Sequence, residues 1–227
     1  RTVGILREKI EKQKKIEIIG DYDVDGIMST TILYLGLKSL GAQVFWRIPH
    51  RVRDGYGIRA YMAEEAFARG VDTIITCDNG ISAADAVDCA KQHGMTVLIT
   101  DHHEVPTNAA GEEQIPQADA VVDPKQTKCS YPWKELCGAG VAYKLIEQLQ
   151  KSLQCTDQKL LDQLLSFAAV ATVCDVVPLV DENRIIVKRG LEILQHSENK
   201  GMKALIDQIL QAGILAPSSK NRQPWKF

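Results

Sequence analysis

Short apolar runs alternate with longer segments of helical period through the first half of the chain, the pattern of a parallel α/β sheet. The runs predict strands over 16–20, 43–48, 73–77, 96–100 and 119–122. Between them, 27–40, 58–69 and 82–93 carry apolar residues at helical spacing, and Gly41, Gly70 and Gly94 stand where C-terminal caps belong. Residues 104–118 turn to Pro, Asn, Gly and Glu, which predicts a surface loop over the top of the sheet. After Asp123-Pro124 the strands cease, and 139–151, 158–174 and 184–196 read as helices packed against the sheet. The expected fold class is therefore α/β: an open, mainly parallel, Rossmann-like sheet flanked by helices and followed by a helical subregion. The sheet-rich part spans about 1–125 and the helical part about 126–205.

Composition narrows the function classes. A chain of 227 residues, 45% of them hydrophobic, can bury a core as one large domain or as a domain with a small lobe. A formal net charge of −2 supplies no global basic field, so any contact with nucleic acid has to be local. No stretch approaches the ~20 apolar residues that cross a bilayer, and Arg1-Thr2-Val3-Gly4 has no signal-peptide pattern. The expectation is a cytoplasmic protein without a membrane partner. Cys77, Cys89, Cys129, Cys137, Cys155 and Cys174 show no C-x-x-C spacing and are expected to be reduced and mostly structural.

The chemistry gathers at strand ends. Asp101-His102-His103 directly follows the run 95–100, Asp21, Asp23 and Asp25 follow 16–19, and Asp78 follows 73–77. Ligands of open parallel sheets bind beyond the carboxyl ends of the strands, so these clusters can converge there although they are far apart in sequence. Each has a plainer reading: Asp25 capping a helix from Gly26, Asp78-Asn79-Gly80 forming a turn, and two imidazoles exposed on a loop. Asp21-Tyr22-Asp23-Val24-Asp25-Gly26 also begins like a calcium-binding loop, but position twelve is Ile32 and a strand precedes it. An aspartate-nucleophile phosphatase would match Asp-x-Asp-Gly and leave the paired histidines without a role. A carboxylate and imidazole shell without thiolate suits Mn²⁺ or Mg²⁺, and less specifically Zn²⁺. Several carboxylates can hold two ions about 3.5–4 Å apart, which would clamp a phosphoryl group.

Four ordered motifs resemble the DHH phosphoesterases, and among them the RecJ type of single-strand-specific 5′ to 3′ exonucleases. They are Gly20 to Gly26, Asp78-Asn79-Gly80, Asp101-His102-His103, and Asp175 within Val173-Cys174-Asp175-Val176-Val177-Pro178-Leu179. Pro49 to Gly57, Leu136 to Ala142 and Glu182-Asn183-Arg184 favour the RecJ type, with His50 standing where Asn is usual. The resemblance covers roughly 5–205. It implies that Asp23, Asp25, Asp78, His102 and Asp175 hold two divalent ions, Mn²⁺ with Mg²⁺ as the alternative, and that Asp78 bridges them. It implies further that His103 faces the substrate phosphate, that Asp101 orients an imidazole, and that Asp21 lies beside the metals as a ligand or orienter. Arg51 matches a phosphate-contacting arginine, and the amides of Gly138-Ala139-Gly140 stand ready either for a phosphate at a helix N-terminus or for a tight packing turn. A lone buried Asp175 would be costly, and a metal relieves that cost. Among the aromatics, Trp46, Trp133 and Tyr131 offer stacking or packing surfaces, and Tyr56 stays open between the two.

The implied function is metal-dependent hydrolysis of single-stranded DNA from the 5′ end to 5′ mononucleotides. The alternatives are a DHH phosphodiesterase for short oligonucleotides or cyclic dinucleotides, and an inactive binding remnant. RecJ-type proteins continue into a DHH-associated domain and an oligonucleotide-binding fold, and this chain ends before them. Its segment 206–227 is expected to be a fusion or truncation junction, since Ile209 to Phe227 resembles the opening of flavin-dependent nitroreductases but is too short to form a flavin site.

Overall fold

The structure, a computed structural model, describes residues 1–197 and 199–204. The junction expected over 206–227 lies outside the described residues. The order of elements is α1 (Thr2–Glu11), β1 (Lys15–Ile19), α2 (Val24–Ser39), β2 (Gln43–Arg47), α3 (Ala60–Ala68), β3 (Thr73–Cys77), α4 (Ala84–Gln92), β4 (Thr96–Thr100) and β5 (Ala120–Val122). The helices α5 (Gly138–Ser152), α6 (Gln158–Cys174) and α7 (Asp181–Gln195) follow. The five strands form one parallel sheet in the order β2-β1-β3-β4-β5. Every expected strand forms, and the α/β architecture with its helical second half is as the apolar pattern predicts.

Two apolar layers sandwich the sheet, because alternate residues of a strand face opposite ways. Ile16, Ile18, Ile75 and Leu98 meet α2, α5 and α6, while Ile19, Ile74, Val97 and Ile99 meet α3 and α4. The first layer runs without a break from Leu6 and Ile10 of α1 to Ile186 and Leu194 of α7. Glu17 breaks the apolar pattern of β1: it is buried, and Arg69 reaches it at 2.5 and 2.6 Å with Arg47 at 3.5 Å.

Helix ends follow local chemistry. Gly41, Gly70 and Gly94 adopt positive φ, and the amides at and after each bond back to the preceding turn, as in Gly41 N to Lys38 O and Ala42 N to Leu37 O. At the other end of α2 the cap is Asp23, whose Oδ1 accepts from Gly26 N at 2.9 Å, and the helix starts at Val24. This corrects the capping role considered for Asp25. Helix α1 is absent from the apolar pattern because it buries only Thr2, Leu6 and Ile10, a stripe one residue wide among charged neighbours. The loop 104–118 is closed by an antiparallel bridge between Thr107 and Glu113.

The reversal of strand order falls between β1 and β3, so a crevice opens beyond their carboxyl ends. Asp21 to Asp25 and Asp78 leave the sheet at that point. No described helix is long and apolar enough to cross a membrane. All six cysteines are free thiols; Cys77 and Cys137 are buried, whereas Cys155 and Cys174 are exposed and so take no part in the core.

Candidate metal centre

Four chain segments deliver side chains to the crevice. From the β1–α2 turn come Asp21, which is buried, and Asp25, buried in the first turn of α2. The end of β3 supplies Asp78, and the end of β4 supplies Asp101, His102 and His103. The end of α6 supplies Asp175 as its C-cap. His102 Nε2 lies 3.0 Å from Asp78 Oδ1, 3.5 Å from Asp25 Oδ2 and 3.9 Å from Asp175 Oδ2. Among the described residues, three donor groups have ligand atoms within 4.8 Å of one another: Asp78–His102–His103, Asp25–His102–Asp175 and Asp21–Asp23–Asp78. Asp78 and His102 each belong to two of them.

Helix α5 closes the crevice from the far side. Gly138 N and Ala139 N donate to Asp25 Oδ2 and Oδ1 at 2.6 and 2.8 Å. These amides are therefore engaged by a carboxylate, which corrects the expectation that they stand free for a substrate phosphate. A Cβ at Gly138 would come within 2.8 Å of Asp78 Cβ and 3.0 Å of Asp25 Oδ2, so only glycine admits this approach. Gly140 instead turns its amide to the Cys137 thiol and packs on Leu136, the tight-turn alternative.

The electrostatics call for a cation. Burial first, then the charges of Asp25 and Asp23, push Asp78 far above the usual carboxylate range. Asp21 and Asp175 are raised by the same causes, burial first and then neighbouring acids. Asp21 Oδ1 is buried and has no hydrogen-bond partner among the described residues. An orphaned buried carboxylate oxygen beside two further acids is costly in protein and natural at a cation, so the donor set fits hard divalent ions. Asp175 is only half-buried, with 26% of its side chain exposed, so its desolvation is milder than the sequence suggests.

Asp101 stands apart from the donor groups and organises the loop. Its Oδ1 accepts from the amides of His102 and His103 and lies 2.7 Å from His103 Nδ1, while Oδ2 accepts from Ile81 N at 2.9 Å. Burial works to raise Asp101, but the His103 bond and these amides bring it below its ordinary value. The Asp101 bond raises His103 in turn, against its own burial, which favours an imidazolium with one edge facing solvent. Tyr56, left open by the sequence, belongs to the site: its hydroxyl donates to the Asp78 carbonyl at 2.9 Å and lies 3.1 Å from His103 Nδ1. Asn79 locks this loop, accepting from Ile58 N and donating to the carbonyls of Ile19 and Cys77.

The sequence model of the DHH family, N-terminal domain, matches residues 15–172. The chain belongs to the DHH family. It is 44% identical over 201 residues to the single-stranded-DNA-specific exonuclease RecJ of Bacillus subtilis, covering 88% of this chain and 24% of that protein. The crystal structure of exonuclease RecJ bound to manganese superposes with a TM-score of 0.79 at 34% identity, over 91% of this chain and 50% of that one. RecJ of Thermus thermophilus in complex with Mn²⁺ gives 0.75 at 31% identity, over 91% and 28%. The chain thus spans a quarter to a half of the relatives it matches here.

Within this DHH fold the remaining expected residues separate. Arg51 is exposed, with its guanidinium carbon 5.3 Å from the ring centre of Tyr22, the residue between Asp21 and Asp23. Trp46 stands 58% exposed on edge strand β2, Tyr131 bonds to Glu182, and Trp133 packs against the core. The structure adds Asp123, which the sequence does not single out: a buried carboxylate at the end of β5 whose Oδ2 has no hydrogen-bond partner among the described residues. The signal that could have found it is the one used elsewhere, an acid directly after an apolar strand.

Proposed function

We propose that this chain hydrolyses phosphodiester bonds of single-stranded DNA with two divalent ions, Mn²⁺ by preference, working from a 5′ end and releasing 5′ mononucleotides. The observation that carries this reading is the sharing of the Asp78 carboxylate between overlapping donor groups, since a carboxylate with two oxygens can serve a pair of adjacent ions. The similarity to the single-stranded-DNA-specific exonuclease RecJ supports single-stranded DNA as the substrate.

In this reading Asp23, Asp25, Asp78, His102 and Asp175 would hold the ions, with Asp78 as the carboxylate common to two donor groups, and Asp21 would complete the acidic wall. Bound there, the ions would supply charge to polarise the phosphoryl oxygen and to activate a water. The chain's own groups do the rest. Asp25, tied to the α5 amides, cannot swing out of the crevice. Asp101 keeps His103 charged and oriented, so the imidazolium donates to the phosphate as negative charge grows on it. Arg51 offers a bidentate grip on a neighbouring phosphate.

The test is hydrolysis of 5′-labelled single-stranded DNA with Mn²⁺, across a series of lengths, with Asp78→Ala in parallel. Release of 5′ mononucleotides from long strands by the parent alone is the expected result. Cleavage confined to dinucleotides would move the chain to the short-substrate reading, and turnover unchanged in Asp78→Ala would remove the metal centre from the reaction.

A further inference from the structure

The five residues that carry Arg51 form a closed turn whose hub is a histidine ring. His50 N donates to Asp54 Oδ2 at 2.7 Å, and Asp54 N returns a bond to the His50 carbonyl at 2.8 Å. Inside this loop the amides of Val52 and Arg53 both donate to His50 Nδ1, each at 3.2 Å. A ring nitrogen that accepts carries no proton, so the bonds define the neutral imidazole with its hydrogen on Nε2. The geometry they enforce sends the Arg51 guanidinium over the ring of Tyr22, the residue between Asp21 and Asp23. An asparagine oxygen would make the same side-chain-to-backbone bonds at any pH. A histidine makes them only while Nδ1 is bare.

We propose that His50 is a positioning residue that presents Arg51 to the substrate phosphate, and that it does so only as the neutral imidazole, which makes substrate capture by this chain acid-sensitive. The proposal rests on the phosphodiesterase reading above. Protonation turns Nδ1 from acceptor into donor, leaves the Val52 and Arg53 amides without their partner, and frees Arg51 from a single orientation.

The surroundings single out His50 as the group that changes. Asp54 is held well below the usual carboxylate range by the Arg53 guanidinium first and the His50 amide next, so its own bond to the His50 amide persists in mild acid. Arg53 pairs with Asp54 at 2.9 Å, and Arg59 donates from Nε to the Asp54 carbonyl at 3.1 Å. Tyr61 of α3, bonded to Asp54, is raised by burial and by that bond and stays neutral. Arg47 of β2 and Glu65 of α3, paired at 2.7 Å, line the hollow that Arg53, Asp54 and Tyr61 share.

Two readouts test this on the full chain. The first follows the Val52 and Arg53 amide signals and the His50 ring nitrogens by NMR from about pH 8 to pH 5.5. The expected result is that both amides move with the His50 titration in the parent and stay still in His50→Asn; amides that ignore the ring overturn the proposal. The second compares KM and kcat for single-stranded DNA over the same range. Relative to His50→Asn, the parent's KM is expected to rise about tenfold on acidification with no matching change in kcat, and His50→Ala to show the high KM at every pH. Identical KM profiles for parent and His50→Asn overturn the link to substrate capture. If no protein turns over DNA while the amides still follow the ring, the phosphodiesterase reading fails and so does the substrate-capture half of the proposal.

Discussion

Asp25 and Gly138 are 113 residues apart, yet the Gly138 amide donates to Asp25 Oδ2 at 2.6 Å, and this bond joins the sheet's acidic crevice to the helical half of the molecule. The same carboxylate lies 3.5 Å from His102 Nε2. One side chain therefore serves both as structural tie and as a member of the candidate donor cluster, and the α5 helix cannot shift without moving that cluster.

Gly138→Ala tests that tie. The added methyl would meet Asp78 Cβ at 2.8 Å and Asp25 Oδ2 at 3.0 Å, with buried surroundings on every side. A stability loss of about 1–3 kcal/mol is expected from urea unfolding, the scale of an overpacked core, together with weaker Mn²⁺ binding by calorimetry. Full metal affinity in the variant would mean that α5 can withdraw freely.

Asp78→Asn separates charge crowding from metal binding. Because burial and the neighbouring acids raise the folded-state pKa of Asp78, its contribution to stability is full below the ordinary value near 3.9 and is lost as pH rises through the folded value. In EDTA the parent's urea midpoint is expected to fall between about pH 5 and pH 8, and that of Asp78→Asn to fall less. Turnover with Mn²⁺ should drop at least about 100-fold, the scale on which even residues outside a metal's direct ligands act. Parallel midpoint curves would show that Asp78 carries no such strain.

Tyr56→Phe keeps the ring and removes the hydroxyl that donates to the Asp78 carbonyl. Asp78 holds a positive φ of 60°, a conformation that costs a non-glycine residue of order 1 kcal/mol and that this bond supports. Expected are a stability loss of about 1 kcal/mol and a several-fold fall in kcat with KM unchanged. A raised KM at constant kcat would instead assign the phenol to substrate binding.

Asp123→Asn addresses the acid that only the structure brings forward. Burial, ahead of the Asp101 charge, raises Asp123 to about 6. Its stabilising effect is therefore present below about pH 4 and lost as pH climbs through about 6, the opposite of a salt-bridged aspartate. The variant should be the more stable protein at pH 8, by on the order of 1–2 kcal/mol in chemical unfolding, and lose that advantage in acid. Equal stability at both pH values would place a donor on Asp123 Oδ2.

The strands and the acids that end them were legible because both are local signals. A buried parallel strand is an unbroken apolar run, and a side chain just past its end has one place to go. That is how Asp21, Asp78 and the pair His102 and His103 could be assigned to one crevice although they are far apart along the chain. Asp123 obeys the same rule after β5, but the run there is only Ala120–Val122, too short to stand out. Helix α1 was hidden for a similar reason, its buried stripe being one residue wide.

By itself the sequence determined the five strands, the helices other than α1, and the four acidic or imidazole motifs through which the chain resembles the DHH family. Only the tertiary structure decided how those motifs divide their work. It made Asp23 the helix cap and tied Asp25 to α5, it gave the amides of Gly138 and Ala139 to a carboxylate, and it set Tyr56 between Asp78 and His103. The reason is physical. Periodicity is written within a few residues of the chain, whereas a hydrogen bond between residues 113 apart depends on how α5 packs on the sheet, and no local pattern carries that packing.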